Sequence, residues 1–454
     1  LGYFDENFHY HPVNSGDFNN SIDNMAVDYQ GNYWFTSSRL GLLRLAESSF
    51  MDVYRTMGMT SKVVNTIAEW NDYLYFGTDS GLDIVDTNRK KYIANSLTAL
   101  LEDARIRCIK TDSTGHLWIC TYGMGLVEVR LDGSYTIYDS KSGTFGNRAR
   151  VAIELFDGTI LAAGDTGLSY IQNEQVTQTI HYGDDFCNAM ILSLQERPDG
   201  SILCGTDGDG IIVMKDGEMT RRITTEDGLS SGVILRTVEN SSDNGAFIVT
   251  SNGLCYMDEQ DSIRVLNNFP YFNNYDVWTV DYGRLFVTGS AGIYVIDEQQ
   301  LIDGVEEPDY ELLDIKKGLS SALTANSWNY RDADNNLYLA CDDGVYVINT
   351  DNYDTSKKSY RMMVSSVKQD NVSFKVERGE PFYIERDTAK LEIFPEVINY
   401  SLEDPYVSYY LEGFDTAPTV LLQSELTSIV YTNVPTGSYI FQLSVLDGNA
   451  ENIV

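Results

Sequence analysis

The sequence predicts an all-β protein in which a β-propeller is followed by a small β-sandwich, and three observations lead to this fold class. Short apolar strands separated by glycine turns recur along about the first 350 residues. Their spacing of roughly 40 to 45 residues is the length of one four-stranded propeller blade. Apolar residues alternate or run for roughly four to six positions, which is typical of strands and not of helices.

Each repeat contains three recognisable strands. The two clearest copies are DYQGNYWFTSSRLGLLRL (Asp28 to Leu45) and DSTGHLWICTYGMGLVEV (Asp112 to Val129). An Asp-containing turn precedes the second strand, and a glycine opens the third strand, where a tight hairpin needs a positive φ. This glycine recurs at Gly41, Gly81, Gly125, Gly167, Gly210, Gly253, Gly292 and Gly344.

Eight copies predict eight blades, with seven as the alternative. The last copy lacks a fourth strand, whereas Phe4 to His11 has the pattern of a fourth strand with no blade before it. We expect this segment to pair beside Gly344 to Ile348 and close the ring, since strand exchange removes an exposed edge. In the alternative, blades preceding Leu1 are absent and one visible copy belongs to a neighbouring ring.

The connectors between copies narrow the interpretation. A Gly-Leu-Ser-Ser step precedes a first strand in Thr225 to Glu239 and again in Lys316 to Asn329. Together with the Asp-x-x-Gly-x-x-Trp turn and the Gly-Leu strand, this step resembles the two-component regulator propeller repeats of bacterial sensor proteins. We therefore expect a propeller sensor domain over residues 1–358.

The sequence pattern changes after the repeats end, which predicts a second domain. YYLEGFD (Tyr409 to Asp415), Tyr431 and Tyr439 are similar to the three-tyrosine domain that follows such propellers. Alternation in LEIFPEVINY and YIFQLSVLD independently predicts a small Ig-like β-sandwich. We expect this domain over residues 359–454, without its last strand, because the chain stops at Val454 soon after the third tyrosine.

The resemblance implies a place and a role for the chain. In that family the propeller and sandwich are extracytoplasmic, periplasmic or at the cell surface, and feed a histidine kinase or a diguanylate cyclase across the membrane. We therefore expect tethering to the cytoplasmic membrane only through a flanking helix absent from this chain. We expect a homodimer through the sandwich domain. The sandwich is the expected coupling element, since signalling requires two arrangements of the dimer that differ in ligand affinity.

Charge and composition exclude other classes. The 454 residues carry 32 Lys and Arg against 67 Asp and Glu, a formal charge of -35. Nucleic acids and anionic lipid surfaces attract basic proteins, so we expect no nucleic-acid partner and no peripheral membrane binding. No apolar run reaches the roughly 18 to 20 residues of a membrane helix.

Motifs for catalysis and metals are weak. Gly228-x-Ser230-x-Gly232 matches a nucleophile elbow, but it falls in a strand connector and not in a strand-to-helix turn. The acidic run that begins at Asp207 has Ile212 where a calcium loop requires glycine. We expect no catalytic residue, metal or cofactor, and we interpret the six dispersed cysteines as free structural thiols.

A binding site is the remaining expectation. In a propeller, the connectors that lead into first strands converge on one face around the channel mouth. Arginines there can fix an anionic or polyhydroxylated ligand, or can pair with Asp79, Asp165 or Asp207. The candidate ligand-binding residues are Asn24, Asn65, Arg107, Arg148, Arg150, Asn188, Arg236, Tyr271, Tyr275, Trp278, Asn326 and Trp328.

The connector NNFPYFNNYDVW (Asn267 to Trp278) mixes aromatic rings with amides, as sugar-binding surfaces do. We expect Phe269 and Phe272 to pack under this loop. The predicted ligand is a small molecule, an oligosaccharide or its breakdown product. The alternatives are a protein-interaction platform without a small ligand, and a propeller lyase, which would need a His or Lys base in the channel.

Overall fold

A computed structural model describes the chain except residues 5, 7, 14, 16–17, 19, 47, 88, 90, 184–185, 241–244, 281–282, 354–358, 378–379, 385–388 and 447–454, and describes only the backbone of residues 11 and 12. The chain divides into two compact units. One is Ser48–Tyr353, and the other combines Leu1–Glu47 with Asp354–Val454. Strands dominate both units, which confirms the all-β prediction.

The first 45 residues form two small antiparallel sheets. β1 (Gly2–Phe4) pairs with β2 (Tyr10–Pro12). β3 (Asn24–Val27), β4 (Tyr33–Ser37) and β5 (Gly41–Leu45) form a three-stranded sheet. This sheet has the strand order of a blade, but all four residues of its first strand are exposed.

Ser48–Tyr353 is a propeller of seven four-stranded blades. The first strand in the chain is β6 (Met51–Asp52), and blade 1 consists of β7 (Val64–Trp70), β8 (Tyr73–Thr78), β9 (Gly81–Asp86) and β10 (Lys91–Tyr92). Blade 2 consists of β11 (Arg105–Thr111), β12 (Leu117–Tyr122), β13 (Gly125–Val129) and β14 (Tyr135–Tyr138). Blade 3 consists of β15 (Ala149–Glu154), β16 (Ile160–Gly164), β17 (Gly167–Gln172) and β18 (Gln175–His181). Blades 4 and 5 are β19 (Ile191–Glu196), β20 (Ile202–Thr206), β21 (Ile211–Lys215) and β22 (Glu218–Ile223); and β23 (Ile234–Glu239), β24 (Ala246–Thr250), β25 (Gly253–Met257) and β26 (Ile263–Val265).

Blades 6 and 7 complete the ring. Blade 6 is β27 (Asn274–Val280), β28 (Arg284–Gly289), β29 (Gly292–Asp297) and β30 (Tyr310–Leu313), and blade 7 is β31 (Tyr330–Arg331), β32 (Asn336–Cys341) and β33 (Gly344–Asn349) with β6. Short helices lie in the connectors: α1 (Val53–Met57), α2 (Ser96–Leu100), α3 (Glu298–Asp303) and the 3-10 turns Ser140–Ser142, Thr225–Asp227 and Ile315–Lys317. None of the helices in the described part of the chain is long and apolar enough to cross a membrane.

The ring closes by strand exchange through β6. Met51 and Asp52 pair with Val347 and Tyr346 of β33, so the strand just before blade 1 completes blade 7. The expected pairing of Phe4 to His11 beside β33 is therefore wrong, and Phe4 pairs with Tyr10 instead. The count is seven blades, the alternative that the sequence left open, because the copy at 24–45 lies in the other unit.

The repeat signature has a physical cause in the turn between the first two strands. In blade 2 the Asp112 carboxylate accepts backbone N–H bonds from Thr114 (2.9 Å) and His116 (2.8 Å). It also accepts the indole N–H of Trp118 at 2.7 Å. One carboxylate thereby accepts the backbone N–H groups of the turn and holds the tryptophan side chain in place, which explains the Asp-x-x-Gly-x-x-Trp pattern.

The turn glycine is equally constrained. Gly125 has a φ of 80°, which glycine adopts without strain. A Cβ at this position would collide with the carbonyl oxygen of Tyr138 in the outermost strand of the same blade. The glycine therefore permits both the turn and the close approach of the chain that follows β14.

Neighbouring blades are joined at the ends of their first strands. Glu154 of blade 3 accepts the backbone N–H (2.7 Å) and the hydroxyl (2.5 Å) of Ser113 in blade 2. Tyr330 of blade 7 donates to Glu69 of blade 1 at 2.6 Å. Ile67 also donates its backbone N–H to the Trp328 carbonyl at 2.9 Å, so blades 7 and 1 are joined directly.

The second unit contains a two-sheet sandwich after residue 360. Its strands are β34 (Arg361–Gln369), β35 (Val372–Phe374), β36 (Lys390–Ile398), β37 (Tyr406–Glu412), β38 (Thr419–Leu422), β39 (Ile429–Thr432) and β40 (Ile440–Val445), with a 3-10 turn at Gln423–Glu425. The sheets β35-β34-β36-β39 and β38-β37-β40 pack over a core that includes Ile393 and Leu411. Tyr431 donates to Asp415 at 2.9 Å and Tyr439 to the Pro435 carbonyl at 2.8 Å. An immunoglobulin-like strand topology stays a prediction.

Candidate functional site

A β-bulge recurs at one position in the innermost strands of blades 1 to 6. The ladder to the second strand shifts register by one residue near the start of each strand. The extra residues are Asn65, Arg107, Arg150, Leu192, Leu235 and Tyr275. Bulges re-aim side chains and are common beside functional sites. The polar bulge residues Asn65, Arg107 and Arg150 lie on three neighbouring blades, whereas Leu235 and Tyr275 pack in clusters between blades.

Blade 7 replaces this bulge with a longer excursion. Thr324 still donates its backbone N–H to the Ala340 carbonyl at 2.9 Å, and residues 325–329 then leave the ladder before the Tyr330–Tyr338 pair. Asn329 partly restores it, because its side-chain oxygen accepts the backbone N–H of Ala340 at 2.9 Å. The excursion carries Asn326 and Trp328 into the ring.

Trp328 crosses the central channel. Its side chain packs against the hydrophobic cluster that contains Cys108, Ala152 and Leu194 from the first strands of blades 2, 3 and 4. Blade 7 adjoins only blades 6 and 1, so a blade 7 side chain reaches this cluster through the middle of the ring. The indole therefore forms a floor beneath the mouth.

Arg236 of blade 5 is stacked on this floor. Its guanidinium lies 3.7 Å from the Trp328 ring centroid, and the Lys110 ammonium lies 4.8 Å from the same ring. Arg236 also donates to the Asn326 side-chain oxygen at 2.8 Å and to the Ser327 carbonyl. These bonds join blades 5 and 7 across the channel and hold the excursion in place.

The charge of Arg236 is only partly balanced. Arg236 is 2% exposed, and its Nε lies 3.9 Å from a carboxylate oxygen of the buried Asp276. Burial lowers the pKa of Arg236, and burial raises the pKa of Asp276, although the nearby arginine opposes the second shift. Sequence reasoning missed both Lys110 and Asp276, which carry no motif.

Arg107 and Asn65 form the wall beside blades 1 and 2. Arg107 donates to the Asn65 side-chain oxygen at 2.9 Å, and Asn65 donates to Asp79 at 2.8 Å. The Asp79 carboxylate pairs at 2.8 Å with Arg105, not with Arg107. Burial, together with the positive charges of Arg150 and Arg105, lowers the pKa of Arg107 to about 10. The Arg105 side chain was not among the predicted site residues.

Arg148 and Arg150 extend the wall into blade 3. Arg148 is exposed and Arg150 is 6% exposed. The Asp165 backbone N–H donates to the Arg148 carbonyl at 3.1 Å, but within the residues that the structure describes neither arginine forms an ion pair with Asp165 or Asp207. The mouth therefore concentrates positive charge in a chain of net charge -35.

The other predicted site residues have different surroundings. Asn24 is an exposed residue of β3 in the other unit. Asn188 is exposed, and its backbone N–H donates to Asp209 at 2.7 Å. Tyr275 and Trp278 pack against the cluster between blades 6 and 7, and Tyr271 stacks on Tyr294 at 5.6 Å.

The aromatic connector behaves only partly as expected. Phe269 is 3% exposed and belongs to a buried cluster, as predicted. Phe272 is 63% exposed, so the prediction that it packs under the loop is wrong. The Tyr271 hydroxyl lies 2.8 Å from the Ser290 hydroxyl, which fixes its ring beside blade 6.

Two further features bear on ligand chemistry. All six cysteines are buried and unpaired, and in the described part of the chain no group of three or more His, Cys, Asp or Glu could hold a metal. A separate open groove of about 470 Å³ lies beside the outer strands of blades 3 and 4, away from the channel. Its lining includes Gln178, His181, Phe186, Met214, Glu218 and Met219.

Comparisons with known proteins agree with this architecture. The family model for the two component regulator propeller matches residues 99–123, which confirms the resemblance in that segment of blade 2. A search of curated proteins finds no match. Among solved structures, the extracellular domain of a B. thetaiotaomicron protein assigned as a hybrid two-component system is similar, with a TM-score of 0.77 and 17% identity over 97% of this chain and 61% of that chain.

A second extracellular domain from B. thetaiotaomicron, also assigned to a hybrid two-component system, has a TM-score of 0.55 and 17% identity over 99% of this chain and 65% of that chain. A streptogramin B lyase has a TM-score of 0.50 and 11% identity over 67% of this chain and 99% of that chain. This chain spans less than two thirds of the two extracellular domains. At these identities the likeness establishes the fold, and it confirms the β-propeller.

Proposed function

We propose that this chain is the extracytoplasmic ligand-sensing region of a bacterial transmembrane signalling protein. The observation that carries the proposal is the set of side chains at the channel mouth. Arg107, Asn65, Trp328, Arg236 and Asn326 are linked in that order by side-chain and backbone contacts of 2.8 to 3.7 Å. Convergent polar groups around an aromatic floor are the features of a small-molecule site.

The ligand class follows from the same chemistry. An aromatic floor can stack on the apolar face of a sugar ring, while amides and guanidinium groups bond to its oxygens. We propose an oligosaccharide as the ligand. The extracellular location of the similar B. thetaiotaomicron domains supports placement outside the cytoplasmic membrane.

Signal output lies beyond the propeller. We propose that ligand binding biases two arrangements of a dimer formed through the sandwich, which transmits the change to a cytoplasmic histidine kinase or diguanylate cyclase. A ligand can shift such an equilibrium only by its difference in affinity for the two arrangements. Sedimentation velocity with and without bound ligand tests the dimer, and a monomer under both conditions would contradict it.

Two other functions are less well supported by the mouth. A protein-interaction platform should present a broad surface without convergent polar groups, unlike the linked set around Trp328. A lyase, the activity of one structure with this fold, needs a positioned base. The Lys110 ammonium faces the Trp328 ring at 4.8 Å, so it is engaged with the floor.

Isothermal titration with a panel of plant and host oligosaccharides tests the proposal. We expect at least one member of the panel to bind, and we expect Trp328→Leu to weaken it at least tenfold. Trp278→Leu is the matched control, because this tryptophan packs between blades 6 and 7, and it should retain binding. If no oligosaccharide of the panel binds, the proposal of carbohydrate sensing is contradicted.

A further inference from the structure

Two adjacent innermost strands begin with the same Arg-x-Arg pattern. Arg105 and Arg107 lead blade 2, and Arg148 and Arg150 lead blade 3. In each pair the second arginine is the extra residue of the β-bulge, so Arg107 and Arg150 occupy equivalent positions on neighbouring strands. These two strand starts, with their four arginines, form one sector of the mouth. Burial lowers the pKa of Arg107, and Arg107 lies close enough to Arg150 and Arg105 for their charges to lower its pKa further.

Acidic side chains do not neutralise this sector. Asp79 pairs with Arg105 at 2.8 Å, which accounts for one charge. Among the residues that the structure describes, no carboxylate lies within ion-pair distance of Arg107, Arg148 or Arg150. The sector thus keeps an excess of positive charge, although the chain as a whole is strongly acidic.

The inner arginines also have unused hydrogen-bond donors. Arg107 is 7% exposed and Arg150 is 6% exposed, and the Nε of each lies buried with no partner in the described part of the chain. A buried cationic donor without an acceptor is costly, and such groups in native proteins call for an explanation. An anionic hydrogen-bond acceptor would bond to these donors and would also balance the positive charge of the sector.

We propose that the ligand carries an oxyanion, a carboxylate or a sulfate ester, which binds between Arg107 and Arg150. This inference rests on the proposed function and specifies the ligand class of the same site. Arginine presents a planar fork that bonds to two oxygens of one oxyanion, which a lysine does not. Exposed Arg148 and half-exposed Arg105 stand at the rim, where they would contact the anion as it enters.

Three probes separate the chemistry. A galacturonate disaccharide supplies a carboxylate on a sugar, a sulfated galactose supplies a sulfate ester, and a neutral galactose disaccharide supplies hydroxyl groups alone. We expect titration calorimetry to show at least tenfold tighter binding of one of the charged probes than of the neutral one. The better of the two charged probes identifies the oxyanion.

Variants assign that binding to the arginine pair. Arg107→Met and Arg150→Met should each weaken the charged probe at least tenfold. In the absence of ligand the melting temperature of Arg150→Met should stay unchanged or rise, because methionine fills the space without a buried charge. Arg107→Met should melt lower, because the buried Asn65 side-chain oxygen loses its donor. Arg107→Lys and Arg150→Lys keep the positive charge but lose the planar guanidinium group, so they should also weaken binding of the charged probe. These lysine variants keep the test decisive if a methionine variant fails to fold. Arg264→Met, on the outermost strand of blade 5, is the matched control and should bind normally.

The outcomes distinguish this inference from the proposed function. Equal binding of neutral and charged probes, or charged-probe binding that survives the Arg107 and Arg150 variants, would overturn the oxyanion site. If the charged probes fail while a neutral member of the wider panel binds at the mouth, the inference falls and the sensing proposal stands. If no member of the panel binds, both fall.

Discussion

Replacing Arg236 by methionine should destabilise the propeller strongly at neutral pH. The guanidinium is 2% exposed and is held by Asn326, Ser327, the Trp328 ring and the buried Asp276. Removing one partner of a buried ion pair costs about 3 to 5 kcal/mol, because the other charge stays buried. For a domain of this size about 2 °C of melting temperature corresponds to 1 kcal/mol, so we expect a loss of about 6 to 10 °C.

The pH dependence of the Arg236→Met variant provides a second, independent signature. The pKa of Asp276 is raised by burial, and the arginine that holds it down is lost in the variant. The folded state then retains a proton at Asp276 where the unfolded chain, with a carboxyl pKa near 3.8, has released it. The stabilising contribution of this proton is fully present below about pH 3.8 and is lost as the pH rises through the raised pKa of Asp276, so stability should fall with rising pH more steeply than in the unmodified protein.

Differential scanning calorimetry between pH 4 and pH 8 measures both effects. The double variant Arg236→Met, Asp276→Asn removes the uncompensated charge and should recover much of the loss at pH 7 with a flatter pH profile. An Arg236→Met variant as stable as the unmodified protein at pH 7, with an unchanged pH profile, would refute the account of this cluster.

Three more predictions concern the fold. A fragment over residues 48–353 should melt cooperatively and run as a monomer in size-exclusion chromatography. A fragment over residues 53–353 lacks β6, which leaves the edge of β33 unpaired, so it should melt at a lower temperature and associate. Equal behaviour of the two fragments would refute closure of the ring by β6. Trp118→Phe removes the 2.7 Å bond to Asp112 and should lower the free energy of unfolding by about 2 kcal/mol, measured by calorimetry. As a control, Tyr135→Phe at an exposed position of the same blade should lower it by less than about 0.5 kcal/mol. A larger loss for Tyr135→Phe than for Trp118→Phe would contradict the role of the Asp112 turn. Tyr431→Phe removes the 2.9 Å bond to Asp415 and should lower the stability of the sandwich by about 1 kcal/mol in urea titration, more than Tyr409→Phe, and equal effects would count against the assignment.

The repeat carries most of the fold in its sequence. Asp112 and Trp118 are six residues apart and their hydrogen bond defines one turn, and Gly125 marks the next turn, so local chemistry specifies each blade. Closure of the ring is different. β6 is only Met51–Asp52, too short to show a strand pattern, and its partner β33 lies almost 300 residues away. Such pairing depends on the whole ring, which local sequence does not describe.

Part of the candidate site could be predicted from the position of its residues at the start of the innermost strands. Asn65, Arg107, Arg150 and Arg236 were found from their place in the repeat, and the structure brings them to the mouth. The bulge itself has no sequence signature, and a shift of one residue moves a side chain from one face of a strand to the other. Both Tyr275, at the bulge of blade 6, and Trp278 pack between blades 6 and 7 instead, so the place in the repeat alone does not separate site residues from core residues. The recurring Arg-x-Arg pattern was the available signal for Arg105.

Hydrogen–deuterium exchange with the tightest-binding oligosaccharide of the panel shows where the ligand binds without prior assumptions. If the ligand lies at the channel mouth, protection should appear in the first strands of blades 2 and 3, at residues 105–110 and 149–153, and in the excursion at 325–329. Protection confined to the outer groove, at residues 178–183 and 214–219, with unchanged exchange at the mouth, would rule out binding there.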